Sequence, residues 1–123
     1  MPAPARPARV LVVEDDDDLR VALCRLLAAN GYDVGLAANG VEAIEAVEHQ
    51  APCAVVLDLL MPGIVGQELL EHMRSDPDLA AIPVAIISGS PELAPPGYEV
   101  FPKPVDHAAL LAFVRSACAP AGS

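Results

Sequence analysis

Three stretches of this chain, residues 9–13 (RVLVV), 53–58 (CAVVLD) and 82–88 (IPVAIIS), are apolar at nearly every position and rich in β-branched side chains. A strand with one wet face alternates apolar and polar residues, so runs of this kind belong to strands covered on both faces. The sequence between them has a different period. In residues 14–32, Leu19, Leu23, Leu26 and Leu27 fall on one helical face; an Asp at 17 or 18 can cap its start and Gly31 can end it. Residues 39–50 (NGVEAIEAVEHQ) predict a second helix, with Asn39 and Glu42 at capping-box spacing. Residues 66–75 predict a third, closed by the DPD that follows, and residues 105–119 a last, begun by Asp106. Shorter runs at 32–37 (YDVGLA) and 98–101 (YEVF) complete five strands. Strands alternating with helices imply right-handed crossovers, hence an α/β fold whose parallel sheet carries helices on both faces.

One helix is missing from the alternation. Between Ser88 and Lys103, Ser90, Pro91 and Glu92 start a helix well, but Pro95 and Pro96 stop it after about one turn. The fourth helix is therefore expected to be short or absent.

The chain has 123 residues, 54% of them hydrophobic, enough for one ordinary core. The expected organisation is a tail over 1–8, one domain over 9–119 and a tail over 120–123. A formal net charge of −10 argues against a nucleic-acid binder, which needs clustered Lys and Arg, and points to cationic, metallic or protein partners. Cys24, Cys53 and Cys118 are an odd set without metal-ligand spacing, read as buried thiols in a reducing cytoplasm. No run approaches the ~20 apolar residues of a membrane span, and the start lacks the apolar centre of a signal peptide. A cytoplasmic protein with no effector domain after residue 123 is expected, either a stand-alone unit or part of a larger one.

In an open parallel sheet, ligands bind beyond the carboxyl ends of the strands. Glu14 and Asp15 follow the first strand, Asp58 ends the third, Ser88 ends the fourth, and Lys103 follows the fifth. Three carboxylates in one cleft repel each other unless a cation joins them, and oxygen ligands in a partly hydrated site suit Mg²⁺. Lys103 is the one lysine beside six arginines.

In this order and at these strand ends, "VLVVEDD", "VLDLLMPGIVG", "IISG" and "KP" resemble the motifs of response-regulator receiver domains of bacterial two-component signalling, across residues 9 to 118. The resemblance implies a flavodoxin-like sheet in the order 2-1-3-4-5. It makes Asp58 the phosphoacceptor and a metal ligand, Asp15 a direct Mg²⁺ ligand, and Glu14 a ligand through water. The backbone carbonyl of Leu60 would complete the protein's share of the metal shell. Ser88 and Lys103 would hold phosphoryl oxygens, and Pro104 would follow a cis Lys–Pro bond. A sensor histidine kinase or phosphotransfer protein would donate the phosphoryl group, and a protein target or fused effector would read it, with neither nucleic acid nor membrane involved. Such a domain is a signalling phosphoacceptor that catalyses its own phosphorylation and dephosphorylation, rather than an enzyme with a separate substrate.

Other residues read plainly. Asp16, Asp17 and Asp18 suit a solvated first helical turn, and His49, His72 and His107 suit the surface. Val100 departs from the family pattern, which has Tyr or Phe three residues before the lysine. Two rivals are weaker. A Mg²⁺-dependent phosphohydrolase would want a second carboxylate where Leu60 stands, and a flavin-phosphate loop would be repelled by "EDDDD". A pseudo-receiver that only binds a protein keeps the same acidic residues, and ligand binding separates it from a phosphoacceptor.

Overall fold

In the computed structural model, which describes residues 8–59 and 65–118, the strands are β1 (Arg9–Val13), β2 (Asp33–Ala37), β3 (Ala54–Asp58), β4 (Val84–Ser88) and β5 (Glu99–Pro102). They pair in parallel in the order β2-β1-β3-β4-β5, as expected. The helices are α1 (Asp17–Ala29), α2 (Gly40–His49), α3 (Val65–Arg74), α4 (Pro77–Ala80) and α5 (His107–Ala117).

Alternate residues of each central strand feed opposite cores, because successive side chains of a strand point to opposite faces. Leu11, Val13, Val55, Leu57 and Ile86 pack with Ala43 and Val47 of α2 and Leu69, Leu70 and Met73 of α3. Val10, Val12, Val56, Ala85 and Ile87 pack with Leu23 and Leu27 of α1 and Leu110 and Val114 of α5. Two dry faces are why the strand sequences are apolar at consecutive positions rather than every second one.

Local chemistry sets the helix ends. Asp16, and not Asp17 or Asp18, caps α1, its side chain accepting from the Leu19 N–H at 3.1 Å. Asp17 and Asp18 then lie in the first turn, where negative charge offsets the helix dipole. The helix gives way at Asn30, and Gly31 adopts a φ of +91°, a conformation that favours glycine. Asn39 caps α2 by accepting from the Glu42 N–H at 2.9 Å, and Glu42 reaches back to the Ala38 N–H rather than to that of Asn39. Asp106 caps α5 through the Ala109 N–H.

Two further expectations change, at DPD and at the cysteines, and one between them holds. The DPD following α3 also starts a helix: Asp76 accepts from the Asp78 N–H at 2.9 Å, and Pro77 opens the single turn α4. After β4 the segment forms only a 3₁₀ turn over Pro91–Leu93, so the missing helix is reduced as Pro95 and Pro96 require. Cys53 and Cys118 are not free thiols but a disulfide with Cα atoms 5.1 Å apart, tying the approach to β3 to the end of α5. Cys24 is a free thiol as expected, but half-buried rather than buried. No helix among the described residues is long and apolar enough to cross a membrane. Apart from Ala8, the expected tails fall outside the described residues, as does Leu60.

Candidate functional site

The carboxyl ends of β1, β3, β4 and β5 converge on one acidic crevice. Glu14 directly follows β1 and is fully buried; its N–H donates to the Ala37 carbonyl at 3.0 Å and its Oε1 accepts from the Asp16 N–H at 3.1 Å. Asp58, the last residue of β3, is 4% exposed. Asp15 is exposed at the mouth, and carboxylate oxygens of Glu14, Asp15 and Asp58 lie within 4.8 Å of one another. Just past Asp58 the backbone is tight: a Cβ on Gly66 would stand 3.2 Å from both Cα and O of Leu59, so glycine lets α3 begin against this strand end.

Lys103 enters from the other side. Its Nζ donates to Asp58 Oδ2 at 3.1 Å and lies 3.5 Å from Glu14 Oε2. Its backbone is anchored beside β4, the N–H donating to the Ser88 carbonyl at 2.9 Å; the Lys103–Pro104 bond that follows is cis, as the resemblance implied. Burial opposes the ammonium charge, but the hydrogen bond and attraction of Asp58, with help from Glu14, outweigh it and raise the lysine pKa. Ser88 is fully buried, and its Oγ accepts from the Ser90 N–H at 2.9 Å.

Glu14 carries the strain of this crowding. Its pKa rises from 4.5 to about 7, first through burial, then through hydrogen bonding with Asp58, against the lowering effects of the Asp16 N–H and Lys103. Among the described residues its buried Oε2 accepts no hydrogen bond, its charged neighbour being Lys103 Nζ at 3.5 Å. A buried carboxylate oxygen in that condition, beside two more carboxylates of which one faces solvent, fits a hard divalent cation with part of its water shell retained.

The sign of the pH effect follows from the raised pKa. Without metal, the protonated carboxyl favours the fold fully below pH 4.5, and that contribution is lost as pH rises through about 7. Its size is on the order of 3 kcal/mol. Glu14→Gln is therefore expected to make the metal-free domain more stable than wild type at pH 8 and nearly equal at pH 4, measured by urea unfolding. Equal stability at both pH values would contradict the assigned burial cost.

All the expected side chains, Glu14, Asp15, Asp58, Ser88 and Lys103, belong to these converging strand ends. The Leu60 carbonyl cannot be placed, lying outside the described residues. Asp16, Asp17 and Asp18 are exposed at the start of α1, and none joins the cluster of potential ligands. His49 and His107 are exposed, and His72 is bound to Glu48 of α2 at 2.6 Å. Val100 is half-buried against the core; Tyr98, two residues earlier, packs against the same core and accepts a hydrogen bond from Arg74 Nε at 3.0 Å. Among the contacts the sequence reading did not find are this Arg74–Tyr98 pair and, nearest the crevice, Arg20 beside the acidic loop. The i,i+3 spacing of Asp17 and Arg20 is the local signal from which the second could have been read.

Comparison with known proteins agrees with the fold. The family model described as "Response regulator receiver domain" matches residues 10–115. Response regulator MprA of Mycobacterium sp. (strain KMS) is 43% identical over 82 residues, covering 67% of this chain and 35% of that protein. The chain thus spans about a third of the length of the curated relatives it matches. The receiver domain of the hybrid histidine kinase CckA superposes with a TM-score of 0.77 at 37% identity, over 90% of this chain and 99% of that one. The receiver domain of a sensor histidine kinase from Pseudomonas aeruginosa PAO1, solved with a magnesium ion in its active-site cleft, has the same fold, with a TM-score of 0.83 at 20% identity over 94% of this chain and all of that one. With its fold, its converging strand ends and a family match over most of its length, the chain belongs to the response-regulator receiver domains of two-component systems.

Proposed function

We propose that Asp58 accepts a phosphoryl group from the phosphohistidine of a sensor histidine kinase or phosphotransfer protein, at a site that takes Mg²⁺. The observation that carries this is the Asp58 carboxylate, nearly buried, held by the sole lysine at 3.1 Å and flanked by the Glu14 and Asp15 carboxylates. Asp15 and Asp58 would hold the ion directly, Glu14 through water, and the Leu60 carbonyl would complete the set. When bound, Mg²⁺ supplies positive charge against the oxygens of the transferring phosphoryl group. The magnesium in the Pseudomonas receiver supports the same use of this crevice.

The chain's own residues supply the rest. An Asp58 oxygen forms a bond to phosphorus as the phosphorus–nitrogen bond breaks, and the electron pair leaves with the donor imidazole. Lys103 moves from the carboxylate to a phosphoryl oxygen, whose negative charge its ammonium offsets. Ser88 already accepts from Ser90, so its own proton is the one it can donate to another phosphoryl oxygen. Hydrolysis of the acyl phosphate at the same site resets the domain. The output passes through a protein target or a fused effector, and the acidic surface disfavours nucleic acid. The setting is the cytoplasm, where ATP charges the kinase histidine; it follows from the kinase partner and no longer from the cysteines, since a Cys53–Cys118 cross-link does not call for a reducing compartment.

Titration calorimetry with Mg²⁺, followed by beryllofluoride, tests the reading against a domain that only binds protein. Wild type is expected to bind both at one site. Removing a partner one shell outside a metal costs about 10–100-fold, so Asp15→Ala is expected to weaken Mg²⁺ binding by at least that upper figure. Asp18→Ala, in the exposed first turn of α1, is expected to leave it nearly unchanged. A wild-type domain that binds neither ligand overturns the proposal.

A further inference from the structure

We infer that Arg20 is a positioning residue for the metal site, its guanidinium bracing the acidic loop so that Asp15 and Glu14 present their carboxylates to the crevice. The inference rests on the Mg²⁺ reading above and adds a residue to it.

Arg20 lies at the start of the second turn of α1 and turns back toward the end of β1. Its Nη1 donates to the Glu14 carbonyl at 2.9 Å and approaches the Asp15 carbonyl at 3.4 Å, while Nη2 pairs with the Asp17 carboxylate. The Arg20 side chain is 18% exposed and that of Asp17 84% exposed. A surface ion pair alone would give little reason to bury the arginine so far. The two backbone carbonyls do, because they belong to the residues that carry the candidate ligands. Residues 14–18 are five acidic residues in a row. Their mutual repulsion favours a loop that spreads into solvent, and the planar guanidinium fork holds three of its oxygens in one arrangement.

The position looks wrong for a cation site, and this makes the inference testable by sign. By Coulomb's law alone, removing a positive charge beside the crevice strengthens Mg²⁺ binding. Positioning predicts the reverse, since partners that orient metal ligands are worth 10–100-fold in affinity, whereas solvent and salt screen a partly exposed charge. Lysine keeps the charge but cannot span two carbonyls and a carboxylate, so it separates the two effects.

The experiment is Mg²⁺ titration calorimetry on the full chain, at a temperature where circular dichroism shows every variant folded. Arg20→Met and Arg20→Lys are each expected to bind Mg²⁺ about tenfold more weakly than wild type. Arg20→Lys also answers the case in which Arg20→Met fails to fold. Binding by either folded variant as tight as wild type, or tighter, overturns the inference. If wild type binds Mg²⁺ and Asp15→Ala loses it while the Arg20 variants bind normally, the metal site stands and only the role of Arg20 fails. If wild type itself does not bind, the proposed function fails first.

Discussion

Asp58→Asn is expected to take up no phosphoryl group from a small phosphodonor in the presence of Mg²⁺, whereas the wild-type chain gains one acyl phosphate, stable in acid and cleaved by base or hydroxylamine. The substitution keeps the size and planarity of the side chain but replaces a charged nucleophile by a neutral amide. Asp58 sits at the end of β3, in register with Ile87 of β4 and directly after Leu57, which is in register with Val13 of β1, so the amide is held in the same place. Lys103 loses the nearer of its two carboxylate partners, 3.1 Å away, but keeps Glu14 at 3.5 Å. The fold should therefore survive, and intact mass spectrometry reads the chemistry alone. Undiminished labelling of the variant would move the acceptor to another carboxylate and refute the site assignment.

Reduction of the Cys53–Cys118 bond is expected to cost about 4 kcal/mol of stability on a chain-entropy basis, given its sequence separation of 65 residues. For a domain of this size that corresponds to a fall of roughly 15 °C in melting temperature. The cross-link lies at the amino end of the sheet, whereas Asp58 is at the carboxyl end of β3. Below its melting temperature the reduced domain is accordingly expected to phosphorylate as the oxidised one does. Thermal unfolding with and without reductant measures the shift, and Cys53→Ala should melt low under both conditions. Thiol titration should find Cys24 alone in the oxidised protein. Three reactive thiols, with a melting point indifferent to reductant, would contradict the pairing.

Much of the fold was legible because its determinants are local or periodic. Residues 9–13, 53–58 and 82–88 are apolar on consecutive positions, and only a strand dry on both faces asks for that. Asn39 and Asp106 cap where they were expected to, since a cap involves partners only three residues away. Asp16 was missed in favour of its neighbours because four consecutive aspartates are equally able to cap, and only the entry angle of the chain chooses among them. At DPD the turn residues were recognised, but the same residues also serve a one-turn helix, and propensity does not separate the two.

By itself, then, the sequence determined the alternation of strands and helices, the reduction of the helix between β4 and β5 at Pro95 and Pro96, and the set of polar residues left at the strand ends. These follow from backbone restriction and from the cost of burying charge, both of which act within a few residues. Tertiary structure alone decided which distant atoms meet. Cys53 and Cys118 pair because α5 returns across the sheet to the start of β3, and the chain between them, a sequence separation of 65, carries no trace of that approach. Glu14 becomes a carboxyl with a pKa of about 7 only when β1 and β3 lie side by side and bury it against Asp58. Arg20 looks like any helix-surface arginine until the turn between β1 and α1 brings the Glu14 and Asp15 carbonyls within reach of its guanidinium. Residue type depends on local chemistry, but burial, pairing and shifted pKa values depend on distances that only the folded chain sets.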